Sequence, residues 1–253
     1  MTTVCLDERS ERGSRRIPAK REVSLSYHTP EVLLETAPAP ALSREELANS
    51  VTHGLGFVLS LAGAVLMVVL SFSHGDFWRA VGCSVFGFTL VAVYAASTLS
   101  HGVTRPDLRR LFRVLDQAFI YLLIVGSYTP WALAYLRTNG WLVFLAVLWT
   151  GAFCGFFSKV LFSHRVESVA VWTCLLLGWL PGLAVPALST YVPSIALWYM
   201  LAGGIFYSVG TIFLVFDNVR PHFHAIWHVL VIGGSAFHFV SILYFVALSP
   251  MTV

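Results

Sequence analysis

The chain has 253 residues, 57% of them hydrophobic and only 11% charged, with a formal net charge of +3. A soluble domain carries about 25% charged residues, so this composition excludes a soluble enzyme of ordinary make-up. Residues 1–50 hold seven of the 16 Lys/Arg and eight of the 13 Asp/Glu, so no basic face remains elsewhere and a nucleic-acid binder is excluded as well.

The chain opens on Met1–Arg21, which is polar and Arg-rich and lacks the apolar core of a secretory signal. Membrane insertion is therefore expected to depend on the first apolar span. Pro18, Pro30, Pro38 and Pro40 punctuate a mixed-charge stretch without any sustained period. Residues 1–42 read as a disordered cytoplasmic tail ahead of a membrane domain over residues 43–253. Nothing specific supports lipidation of Cys5. Ser43-Arg44-Glu45-Glu46 has the form of a capping box, with Ser43 capping a short surface helix and Glu46 bonding back to it.

Seven apolar runs then follow, each close to the ~20 residues that a helical membrane crossing requires. They are Val51–Leu70, Trp78–Ser100, Val114–Ala134, Trp141–Leu161, Val169–Val185, Ile195–Val215 and Ala225–Leu248. None alternates as a barrel strand does, so the fold class is an all-α membrane protein, a seven-transmembrane helix bundle. The fifth run is short, and Pro181-Gly182 is expected to kink it. Trp78, Trp141, Trp149, Tyr191 and Trp198 are placed near span ends as interfacial aromatics. Gly203-Gly204 and Gly233-Gly234 are expected to let the last spans pack closely. Cys83, Cys154 and Cys174 fall in apolar runs and read as buried hydrophobes, with no CxxC pattern for a metal.

Lys and Arg set the orientation. The N-terminal segment and the loops after spans two, four and six hold fourteen, against Arg79 and Arg137 on the other side. The N-terminus is therefore expected in the cytoplasm and the C-terminus outside.

Ionisable groups within spans are costly and are functional candidates by default. Asp116 is the one acid outside the N-terminal fifty residues that falls within a span; Asp76, Asp107, Glu167 and Asp217 belong to loops or span ends. His224 and His228 are four residues apart, so on a helix they share one face, about 6 Å apart along the axis. Two imidazoles at this spacing can share a metal ion. The alternation of the spans brings His101, Asp116, His224 and His228 to the same cytoplasmic depth.

Three imidazoles suit Zn²⁺ and leave a fourth position open, with Asp116 either a ligand or a group that holds water there. Ser97, one turn before His101, either donates to the site or packs between helices. His53 lies at the right depth but has no partner at helical spacing, and His222 reads as a loop residue. His238 lies about 21 Å beyond His224 along the helix, too far to join, and reads as a core histidine. His28, His74 and His164 read as surface residues.

These residues carry a resemblance. Glu46-Leu47-Ala48-Asn49-Ser50-Val51-Thr52-His53-Gly54-Leu55-Gly56 resembles the opening of the bacterial hemolysin III proteins. Ser97-x3-His101, Leu115-Asp116 and His224-x3-His228 are similar to the metal-site motifs of the wider group. That group joins hemolysin III to the progestin and adiponectin receptors and, more distantly, to the alkaline ceramidases. The resemblance spans Glu45 to Leu248.

It implies a bacterial inner-membrane protein with zinc held by His101, His224 and His228, and with Asp116 and Ser97 as the catalytic pair. A lipid amide or ester would be the substrate and membrane lipids the partners, with a role in membrane-lipid homeostasis. Two rivals stand beside this zinc-dependent hydrolase: a receptor-like regulator with structural zinc, and the cytolysin of the family name. Seven apolar spans suit a released toxin poorly. A zinc transporter lacks a second polar cluster for an outer half-pathway.

Overall fold

The structure, a computed structural model, describes residues 42–74, 76–138, 140–162, 171–220 and 222–249. The tail expected over residues 1–42, apart from Leu42, lies outside the described residues, as do Cys5, His28, His164 and the side chain of His74.

All regular structure among the described residues is helical, and seven segments are long and apolar enough to cross a membrane. The crossings are α1 (Arg44–His74), α2 (Phe77–Gly102), α3 (Pro106–Tyr135), α4 (Trp141–Phe162), a broken fifth crossing, α7 (Ser194–Val215) and α8 (Phe223–Ile242). The fifth crossing runs as α5 (Val171–Trp179), a 3₁₀ stretch (Leu180–Ala184) and a short α6 (Val185–Leu188). Its break falls on Pro181-Gly182, as the sequence predicts. The last crossing ends in a π-helical stretch, Leu243–Ala247. In hydrocarbon every backbone N–H and C=O must find a partner inside the chain, which is why each crossing is a helix.

α1 begins seven residues before the first apolar run, at Arg44, so the expected separate surface helix is instead the first two turns of the crossing. The Ser43 hydroxyl accepts from the Glu46 backbone N–H at 3.1 Å, which forms half of the expected capping box. The Glu46 carboxylate does not return to Ser43; it reaches across to α2 and α3.

α2 is the central helix, buried along most of its length between α1 and α3. Its core side chains Cys83, Phe86, Leu90 and Val93 are at most 3% exposed. The apolar residues of α1 and α4 that point away from the bundle, such as Leu55, Val58, Val143 and Val147, are exposed and form the lipid-facing surface. Cys83 and Cys174 are buried as expected, whereas Cys154 is exposed on the outer face of α4.

Trp149 departs from its expected interfacial place. It sits mid-way along α4, and its indole N–H donates to the Thr129 hydroxyl at 3.1 Å.

Small residues set the closest helix contacts. A Cβ at Gly203 would lie 3.1 Å from the Gly234 carbonyl oxygen, and one at Gly234 the same distance from that of Gly203. The two glycines thus hold α7 and α8 nearly backbone to backbone, as their sequence positions suggest. α2 crosses α3 where Pro130 interrupts the latter, and a Cβ at Gly82 would fall 2.7 Å from the Pro130 Cα.

No flexible side chain can move aside at Gly82, so Gly82→Ala must shift backbone. We expect it to cost about 1–3 kcal/mol, the usual range for overpacking. Thermal unfolding in detergent should show a lowered Tm, while Gly182→Ala, where an added Cβ meets nothing within 4 Å, leaves it nearly unchanged.

Candidate metal centre

Four elements deliver polar side chains to one end of the bundle, the end at which α1 begins: α1 with Glu46 and His53, α2 with Ser97 and His101, α3 with Asp116, and α8 with His224 and His228. Helical spacing places each pair on one face. Ser97 and His101 are one turn apart, His224 and His228 likewise, and Glu46 lies two turns before His53.

The rings of His101, His224 and His228 converge. Their centroids lie 5.2 Å apart for His101 and His224, 5.0 Å for His101 and His228, and 4.6 Å for His224 and His228. One ligand atom from each lies within 4.8 Å of the others, so the three form a group that can hold a metal ion. His101 is 7% exposed and His228 1%, which removes water as a competing partner for their nitrogens.

Two of the three rings are held by carboxylates. His101 Nδ1 donates to Glu46 Oε2 at 2.6 Å, and His224 Nδ1 donates to Asp217 Oδ2 at 3.1 Å. A ring that donates from Nδ1 keeps its lone pair on Nε2, the arrangement in which metal-binding histidines are fixed in tautomer and direction. Glu46 is itself held. Its Oε1 takes a short ion pair from Arg109 and a second from Arg113 Nη2 at 3.3 Å, and Arg109 Nε donates to the Ser100 carbonyl at 3.3 Å. The third ring, His228, keeps a buried Nδ1 without a hydrogen-bond partner. Convergent imidazole nitrogens, carboxylates behind two of them and an unpartnered ring nitrogen together fit a divalent metal of the imidazole-preferring kind.

Asp116 is not among the converging donors; it lines the adjoining cavity together with Ser97. Ser97 is fully buried, and its hydroxyl meets His53 Nδ1 at 2.6 Å. His53 stacks on His228, with ring centroids 3.6 Å apart and planes at 23°. The Ser97 hydroxyl therefore ties α2 to α1 at the edge of the histidine cluster, a larger part than that of a packing serine. His222 is exposed at the start of α8, and His238 is buried far along it.

Three members of the site were not assigned to it from sequence. By sequence Glu46 is a local cap, Asp217 a loop acid and His53 a residue without a partner at helical spacing. The available signal was the seven-residue interval, two turns of helix, that separates Glu46 from His53. No comparable helical signal marks Asp217, which precedes α8.

Beside the cluster lies a mainly apolar cavity of about 260 Å³ walled by α2, α3, the broken fifth crossing, α7 and α8. His53, Ser97, Asp116 and His224 line the end of it nearest the cluster.

The chain is similar to known proteins along most of its length. A family described as "Haemolysin-III related" matches residues 42–239. The chain is 38% identical to "Hemolysin-3" of Bacillus cereus over 204 residues, which cover 80% of this chain and 92% of that protein. It is 34% identical to "Hemolysin-3 homolog" of Bacillus subtilis (strain 168), covering 82% of this chain and 97% of the relative. It is 30% identical to "Monocyte to macrophage differentiation factor" of Homo sapiens over 213 residues, which cover 81% and 86% of the two chains.

The carboxylate behind His101 generates a prediction. Glu46→Ala should lower the affinity for a divalent metal ion about 10–100-fold, the usual effect of losing the group that orients a ligand histidine. Competition with a chromophoric chelator measures it, and Glu45→Ala, on an exposed residue, should leave the affinity unchanged.

Proposed function

This chain belongs to the haemolysin-III related family, and on that footing we propose that it is a zinc-dependent hydrolase of a lipid amide or ester, working within the membrane near the cytoplasmic leaflet. The observation that carries this reading is the meeting of two features. Three imidazoles leave room for a further ligand, and the Ser97–Asp116 pair stands beside them at the end of an apolar cavity. Zinc is favoured by the all-nitrogen donor set and its carboxylate backing. The charge distribution supports a cytoplasmic N-terminus, with residues 1–42 as a cytoplasmic tail, and the bacterial relatives support an inner-membrane location.

In this reading His101, His224 and His228 hold the zinc, which supplies Lewis acidity toward a carbonyl and makes a nearby water more acidic. Glu46 and Asp217 fix two of the ligand rings so that they need not reorganise during the reaction. Asp116 accepts the proton of the attacking water on its carboxylate, and Ser97 keeps that carboxylate turned toward the cavity. The apolar wall takes the acyl chain and excludes bulk water. Water adds its oxygen to the acyl carbon, the amide or ester bond breaks, and the leaving nitrogen or oxygen takes up a proton.

A regulator with structural zinc needs the same three histidines but has no use for Asp116, and that difference separates the two readings. Protein loaded with one zinc per chain should release fatty acid from at least one member of a panel of ceramides, N-acyl and O-acyl lipids. Asp116→Asn should keep its zinc and lose about 10²–10⁴-fold in rate, the usual contribution of a positioned general base. Failure of folded, zinc-loaded protein to release acid from the whole panel overturns the hydrolase. A His224→Ala/His228→Ala double variant that retains zinc by elemental analysis overturns the ligand assignment.

A further inference from the structure

The cavity carries a second polar feature, well away from the histidine cluster. His238 on α8 and Tyr128 on α3 both line it. Each keeps a buried polar atom without a hydrogen-bond partner, Nδ1 of His238 and the hydroxyl oxygen of Tyr128. Tyr128 is 2% exposed and His238 9%, so neither atom is served by water outside the protein. A buried donor or acceptor left unmade costs about 1–3 kcal/mol, so two that line one cavity call for a ligand or ordered water beside them.

Their depth is matched. His238 lies ten residues past His228, and Tyr128 twelve past Asp116, on helices that run in the same direction. At 1.5 Å per residue the separations are about 15 Å and about 18 Å. Half of a ~30 Å hydrocarbon core, the length available to one acyl chain, is about 15 Å. The wall between the two stations includes Ile120, Leu123 and Ile124 of α3 and Val231 of α8, and it offers hydrocarbon contact.

The His238 ring is also held in place. It stacks on Tyr207 at 5.6 Å with planes at 14°, and it rests over Gly203, where a Cβ would come within 2.7 Å of Nε2. Tyr207 is tied in turn through its hydroxyl to Ser235, which also accepts from Tyr94. A histidine held on two sides, by Tyr207 and by Gly203, with Nδ1 unpartnered is built as a receiver.

We propose that His238 and Tyr128 form a distal subsite that hydrogen-bonds a second polar group, such as an ω-hydroxyl, on a long-chain amphiphile whose head lies at the histidine cluster. The cavity then selects its ligand by the separation between two polar groups as well as by apolar length. This rests on reading the cavity as an acyl-chain site, and it does not require that hydrolysis occur.

The test is binding, by displacement of a fluorescent fatty acid from the purified zinc-loaded protein in detergent, with ω-hydroxypalmitate and palmitate as the probes. Wild type should bind ω-hydroxypalmitate about tenfold more tightly, the gain expected from one satisfied buried hydrogen bond. Tyr128→Phe keeps the ring and removes only the hydroxyl; His238→Phe keeps a stacking ring over Gly203. Each should reduce the preference severalfold while palmitate affinity stays within about twofold. Equal affinity for the two acids in wild type, or a preference that survives both substitutions, overturns the subsite. Displacement by neither acid overturns the acyl-chain cavity itself. An intact preference with no lipid hydrolysed leaves the subsite standing and counts against the hydrolase alone.

Discussion

The carboxylate of Glu46, just ahead of the first apolar run, is the polar group on which the end of the bundle that carries the histidines depends. One oxygen takes the proton of His101, and the other takes Arg109 and Arg113. A single acid from α1 thereby fixes the orientation of a ligand ring on α2 and neutralises the first turns of α3. The three helices that form the tightly packed side of the bundle are joined at this end by this one group. The histidine cluster depends on it because a ring that donates from Nδ1 is committed to accepting, or to binding a metal, at Nε2.

The opposite end of the bundle is closed in another way. Arg79 is buried, and its guanidinium donates to the Ser249 carbonyl and lies 5.5 Å over the Tyr135 ring; the Tyr135 hydroxyl in turn donates to the Phe245 carbonyl. Those carbonyls belong to the end of the last crossing, where the π-helical stretch leaves backbone acceptors in need of donors, and a cation there also suits the helix dipole. That closure therefore ties a helix end to the core with backbone acceptors and one cation. The end that carries the histidine cluster instead collects imidazoles and carboxylates, the groups that bind metals and move protons.

Much of this was legible in the chain itself, and the reason is physical. A lipid solvent forces about twenty apolar residues into each crossing, so all seven crossings stand out by composition alone. Alternating direction then fixes depth, which puts His101, His224 and His228 at one level of the bundle from the sequence alone. Rotation about the helix axis and the reach of long side chains were not legible. Glu46 satisfies a local capping pattern on paper, yet its carboxylate is drawn away by a partner 55 residues on. Asp217 belongs to a turn whose path depends on where α8 starts. Trp149 has the composition of an interfacial anchor, but a hydroxyl on α3 at mid-membrane holds its indole. In each case the decisive partner came from another helix, and spacing along one helix carries no information about it.

The break in the fifth crossing connects the fold to the cavity. Leu180–Ala184 leaves the α-helical path at Pro181-Gly182, which frees backbone groups at membrane depth. Such a break is tolerated only where it is buried in protein or lines a cavity, because lipid cannot satisfy it. Pro181 and Gly182 do line the cavity. On the other side α2 and α3 are locked by Gly82 against Pro130, and α7 and α8 by Gly203 against Gly234, so those walls cannot collapse inward to fill the space. The cavity thus persists between rigid walls and an interrupted helix, with titratable groups gathered at one end. A bundle of seven unbroken, evenly packed helices could hold the same three histidines, yet it would leave no cavity beside them.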